Sequence, residues 1–193
     1  MKKVYQLLTL ILIFTILSLC ACGEKESALA DTSGNKAADS AKGEISAQET
    51  LFGSFYAQTL DGGDVTEEIF AQADLTMVNI WATFCGPCIN EMPDLGELNR
   101  EYKDKGFQIM GLISDVNMPG DETALQIVEE TQADYTHMVA SLDLQGGILK
   151  YVSVVPTTVF VVKEGNQVGD VYSGSRDKES WAEIIDALLS EVQ

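Results

Sequence analysis

Thr76-Met77-Val78-Asn79-Ile80-Trp81-Ala82-Thr83-Phe84-Cys85-Gly86-Pro87-Cys88-Ile89-Asn90-Glu91-Met92-Pro93 is the stretch on which the fold turns. Thr76 to Trp81 is a short apolar run of the kind that forms a strand buried on both faces. A helical stretch follows from about Pro87 to Lys105, so Cys85 and Cys88 fall where a buried strand hands over to a helix. Unpaired N–H groups and the macrodipole at a helix N-terminus favour a thiolate there, holding Cys85 below the ordinary thiol value of about 8.5. Cys88 lies one turn further on, close enough to attack a mixed disulfide formed at Cys85. Gly86 permits the tight turn, and Pro87 wastes no N–H in the first helical turn. The competing reading is half a zinc site, but zinc takes about four ligands. His137 is the only histidine, and no second cysteine pair remains once Cys20 and Cys22 are assigned elsewhere. Heme attachment needs a histidine after the second cysteine, where Ile89 stands. No metal and no cofactor other than a redox-active Cys85–Cys88 pair is expected.

Elements alternate on both sides of this stretch. Ser54 to Gln58 and Asp64 to Thr66 flank Leu60-Asp61-Gly62-Gly63, a hairpin signal. Phe107 to Ser114 reads as a second buried strand, and Glu122 to Ala133 as an amphipathic helix presenting Leu125, Ile127 and Val128. His137 to Leu142 reads as a strand in which His137 has no special role, and Gly147 to Val152 as a short helix. Thr157 to Val162 and Val168 to Tyr172 form a hairpin around Lys163-Glu164-Gly165-Asn166. Ser180 to Val192 repeats Trp181, Ile184, Ile185, Leu188 and Leu189 at helical spacing. The expected architecture is α/β, a central mixed sheet flanked by helices, with an N-terminal hairpin.

The N-terminus is an address. Lys2 and Lys3 precede a nearly apolar run from Val4 to Leu19, whose 16 residues would give roughly 24 Å of helix, short of the ~30 Å hydrocarbon core. Such a segment reads as a secretory signal. Leu19-Cys20-Ala21-Cys22 resembles the bacterial lipoprotein signal, with the small Ala21 before the acylated Cys22. Residues 1–21 are therefore expected to be a signal peptide and 22–50 a lipid-bearing Cys22 followed by a tether. Residues 51–193 are the expected folded domain. The tether lacks aromatic residues and sustained apolar period, and its 28 residues after Cys22 would reach about 30 Å as a flexible chain. The whole chain carries −18, of which 7 basic and 24 acidic residues place −17 on residues 51–193. Nothing supplies the basic clusters that nucleic acid requires.

The segment from Trp81 to Pro93 resembles the active-site segment of the thioredoxin superfamily, and more nearly that of membrane-anchored TlpA/ResA-like thiol–disulfide oxidoreductases. Pro93 stands five residues after Cys88, where that family kinks its helix, and Val154-Val155-Pro156-Thr157-Thr158 resembles its cis-proline loop. Pro119 to Asp143 resembles the helix-and-strand insertion of this branch, and the match extends over roughly Phe52 to Val192. The resemblance implies a thioredoxin-like fold and a protein-disulfide reductase in which Cys85 attacks and Cys88 resolves. It implies that Val155 and Pro156 present backbone to a client strand, with Trp81 and Phe84 beside them. Asn79 replaces the buried aspartate of cytoplasmic thioredoxins, and Glu91, three residues after Cys88, is the expected proton acceptor or pKa tuner. Phe84 replaces the usual tryptophan, keeping the apolar rim while losing an indole donor. Also implied are an oxidised client protein, such as apocytochrome c or a surface methionine sulfoxide reductase, and a transmembrane electron donor of CcdA/DsbD type. The site would lie on the outer face of the bacterial cytoplasmic membrane, held by lipid on Cys22, in a monomer. Alternatives are a disulfide-forming oxidase on the same fold and a non-catalytic binding lipoprotein. A thiol peroxidase would need a Pro-x-x-x-Thr/Ser-x-x-Cys arrangement, which is absent.

Overall fold

A computed structural model describes residues 50–193. The expected signal peptide, Cys22 and almost the whole tether lie outside the described residues. Strands β1 (Tyr56–Gln58) and β2 (Asp64–Thr66) pair antiparallel as the expected hairpin. A two-turn 3-10 helix, Glu67–Gln72, leads into β3 (Leu75–Trp81). Then come helix α1 (Gly86–Tyr102), β4 (Phe107–Ile113), α2 (Glu122–Thr131) and β5 (Thr136–Val139). The short α3 (Leu142–Gly146), β6 (Thr157–Val162), β7 (Gln167–Ser173) and α4 (Lys178–Val192) complete the domain.

Five strands form one sheet in the order β5-β4-β3-β6-β7. β3, β4 and β5 run parallel, whereas β6 and β7 are antiparallel, so the sheet is mixed as expected. The hairpin joins the far edge: Thr59 bridges Met138, and Leu60 N–H donates to the His137 carbonyl at 2.8 Å. All seven residues of β3 are buried because the strand is central and covered on both faces. On one face Met77, Trp81, Leu95, Phe160 and Trp181 pack beneath α1, α2 and α4. On the other, Phe52, Phe55 and Phe70 form an aromatic cluster over Val78, Ile80 and Val161.

Two boundaries differ from expectation. Gln132 takes a left-handed conformation (φ 54°) that ends α2 at Thr131, two residues early. The expected strand through Leu142 stops at Val139, because the Ser141 hydroxyl accepts the Leu144 N–H at 3.3 Å and starts α3. Leu142 is consequently surface-exposed. Leu125, expected on the buried face of α2, is also exposed; Ala124 and Thr131 are the buried residues of that helix.

Candidate active site

Cys85 is the N-cap of α1, and its Sγ accepts the Cys88 N–H at 3.2 Å. The two cysteines are joined in a disulfide, with Cα atoms 5.3 Å apart. Cys85 keeps 6% of its surface accessible and Cys88 none. Only Cys85 can therefore meet an incoming sulfur, and Cys88 can act only on what is already bound to Cys85. In the reduced pair the same N–H and the N-terminus of a 17-residue helix would favour the Cys85 thiolate. Gly86 and Pro87 occupy the first helical turn, where a missing N–H costs nothing.

The Val155–Pro156 peptide bond is cis, and Pro156 opens onto β6, the neighbour of β3. Phe84, 78% exposed, projects beside Val154 and Val155 over a cleft of about 760 Å³. The cleft runs on past Asp115, Gln145 and Leu149. Asp115 also holds the chain just before the cysteines, accepting the Thr83 N–H at 3.1 Å. Phe84, the chain neighbour of Cys85, thus lines one cleft together with Val154 and Val155 of the cis-proline loop. Trp81 does not join them. It is fully buried, and its Nε1–H donates to His137 Nδ1 at 3.2 Å, so its assignment to substrate binding is corrected to a place in the core.

Glu91 is the least ordinary residue of the site. It is 3% exposed, on the helix turn after Cys88. Oε1 accepts from Asn79 Nδ2 at 2.9 Å; Oε2 accepts the Arg176 main-chain N–H at 3.1 Å and Trp181 Nε1–H at 3.4 Å. Burial pushes its pKa above the ordinary carboxylate range, while these donors and the Arg176 charge pull against that rise. Asn79, where cytoplasmic thioredoxins would place an aspartate, spends its amide on Glu91 and on Thr158 Oγ1 at 3.1 Å. The sequence did not single out Arg176, Thr158 or Trp181 for this site. Nothing in their local pattern sets them apart, because they reach Glu91 only through folding of distant segments.

His137 has a structural role that its sequence position did not reveal. Its Nδ1 accepts from Trp81, so its Nε2 carries the proton and donates to the Ala133 carbonyl at 2.9 Å. Burial pushes its pKa from 6.5 to about 4. Among the described residues no group of three or more His, Cys, Asp or Glu is arranged to hold a metal.

The model of the Redoxin family matches residues 32–187. The chain belongs to the redoxin family. It is 30% identical over 110 residues to thiol-disulfide oxidoreductase ResA of Bacillus thuringiensis subsp. konkukian, covering 56% of this chain and 60% of that protein. It is 34% identical over 102 residues to ResA of Oceanobacillus iheyensis, covering 51% and 49%. The redoxin thus spans about half the length of the curated relatives it matches, or slightly more. A thiol:disulfide interchange protein of the thioredoxin family from Chlorobium tepidum TLS shares its fold with a TM-score of 0.61 at 24% identity, covering 75% of this chain and 99% of that one. StoA from Bacillus subtilis does so with 0.54 at 17%, covering 69% and 97%.

Proposed function

We propose that this redoxin is a thiol–disulfide oxidoreductase that reduces disulfides in client proteins through Cys85 and Cys88. The observation that carries the reading is the asymmetry of the pair: an accessible sulfur at a helix N-cap, bonded to one with no access at all. In the reduced enzyme the Cys85 thiolate attacks one sulfur of the client disulfide. That S–S bond breaks, a Cys85–client disulfide forms, and the other client sulfur leaves as a thiolate. Cys88, deprotonated with help from Glu91, then attacks Cys85 Sγ. The second client sulfur leaves, two electrons have passed to the client, and Cys85–Cys88 is again oxidised. Phe84, Val154 and Val155 offer the client an apolar rim and backbone beside Cys85.

Reduction is favoured over oxidation by the Gly86-Pro87 dipeptide, which resembles that of reducing thioredoxins with potentials of roughly −270 mV. Because the N-terminal sequence reads as an export signal with a lipid acceptor, the working place is the outer face of the cytoplasmic membrane. A reductant there needs a transmembrane dithiol donor of CcdA/DsbD type to recharge it. Apocytochrome c and a surface methionine sulfoxide reductase are the clients the family resemblance suggests. Attachment would fall to Cys22, on the lipoprotein-like Leu19-Cys20-Ala21-Cys22 sequence; among the described residues no helix is long and apolar enough to cross a membrane.

Insulin-disulfide reduction by the wild type, abolished by Cys85→Ser, is the expected result; a wild type without turnover would sink the reading. Cys88→Ser is expected to accumulate clients covalently bound to Cys85. A measured potential above about −150 mV would reverse the assigned direction.

A further inference from the structure

One residue reaches the Glu91 carboxylate in two ways. Arg176, between β7 and α4, gives its main-chain N–H to Glu91 Oε2 at 3.1 Å. Its guanidinium lies 5.0 Å from the ring centroids of both Tyr172 and Trp181, and Nη1 donates to the Gly174 carbonyl at 3.1 Å. Trp181, stacked in this way, gives its own Nε1–H to the same Glu91 oxygen at 3.4 Å. The ion pairs among the described residues use Arg100, Lys163 and Lys178, not Arg176. A half-buried guanidinium held by two aromatic faces and a carbonyl, with no carboxylate in contact, is an expensive arrangement if it serves only the surface.

We propose that Arg176 is a positioning residue of the redox centre: its main-chain N–H and the indole it stacks on fix the Glu91 carboxylate one helical turn from Cys88, and its guanidinium supplies positive charge to that buried site. The groups facing Glu91 leave this part to Arg176. α1 contributes the cysteine pair, β3 contributes Asn79, β6 contributes Thr158 and α4 contributes Trp181. Tyr135, entering β5, is buried and neutral, and the Glu91 charge helps keep it so. Of these only Arg176 is charged at neutral pH. Burial raises the Glu91 pKa; the Asn79 amide, the Arg176 main-chain N–H, the Trp181 indole and the Arg176 charge act against that rise, so Arg176 opposes it through both its backbone and its guanidinium. The bearing on catalysis rests on the oxidoreductase reading above; the arrangement around Glu91 does not.

The test follows the Glu91 carboxyl itself, by carbon-13 NMR across pH, in the oxidised full-length protein. Arg176→Met is expected to raise its titration midpoint. Arg176→Lys, which keeps charge, should restore most of that difference. Arg176→Gln serves as the neutral variant should the methionine disturb folding. A midpoint unchanged in the neutral variant overturns the proposal, as does a lysine variant shifted as far as the neutral one. Insulin reduction by the wild type is measured alongside: its absence would remove the oxidoreductase reading while leaving the titration result standing.

Discussion

Glu91 and His137 are both buried titratable residues, yet acid acts on them in opposite senses. The Glu91 pKa is raised in the folded protein, so its contribution to stability is present below about 4.5 and is lost as pH rises through the higher folded value. His137 falls from 6.5 to about 4, because a second ring proton would point at the Trp81 N–H in a dry site. The unfolded chain binds that proton first, so stability is full above 6.5 and declines as pH falls toward 4, by at most about 3 kcal/mol. Urea midpoints measured from about pH 4 to 7 should therefore fall in acid for the wild type, with that slope flattened in His137→Gln and steepened in Glu91→Gln. A His137→Gln profile parallel to wild type would show that this imidazole does not titrate on unfolding. Asn79 explains why a carboxylate can be kept here at all: an aspartate in its place would put a second negative charge against Glu91 instead of an amide donor.

Helices and strands meet at two glycines whose missing side chains make room. Gly96 lies in the middle of α1, where a Cβ would collide with the Gln132 carbonyl oxygen at the end of α2. Alanine normally gains about 1 kcal/mol over glycine inside a helix. Here Gly96→Ala is expected to lose roughly 1–3 kcal/mol instead, because the helices must separate. A higher melting temperature in the variant would contradict the packing. Gly111 of β4 lies between Trp81 and His137, and a Cβ there would strike His137 Nδ1. Gly111→Ala should break the indole–imidazole bond, cost about 2–4 kcal/mol in a denaturant titration and quench or shift the Trp81 fluorescence. These contacts mark the boundary of what the chain discloses by itself. The buried runs of β3 and β4, the turn around Asp61-Gly62-Gly63 and the cysteine pair at the start of α1 are written locally, and all were legible. The 3-10 helix at Glu67–Gln72 was not, since six residues are too few to show a period. The bond from Trp81 to His137, the donors to Glu91 and the end of α2 at Gln132 were not either. Each depends on segments dozens of residues away, or on a single backbone angle that no pattern announces.

Across the whole molecule the charge is lopsided, with −17 on residues 51–193. At about 0.01 M salt the Debye length is near 30 Å, and at about 0.15 M near 8 Å, so this field reaches an approaching client only in dilute salt. The second-order rate with a cationic disulfide peptide should fall as salt is added, and that with an acidic peptide should rise. Stopped-flow measurement at matched peptide lengths checks the pair; equal salt dependence would show that the field does not reach the cysteines. The sheet also has a direction that bears on reach. Leu51 donates its N–H to the Gly165 carbonyl at 3.3 Å, in the turn after β6, whereas Pro156 precedes the other end of that strand. Six residues of extended strand separate the two, about 20 Å. Leu51 is thus fastened at the pole away from the cysteines, at the heel of the domain and not at its hand. With the attachment proposed above in place, a client would approach the sulfur without passing it, and a pull on Leu51 would be borne by the Leu51–Gly165 end of the sheet before it reached the turn that holds Cys85.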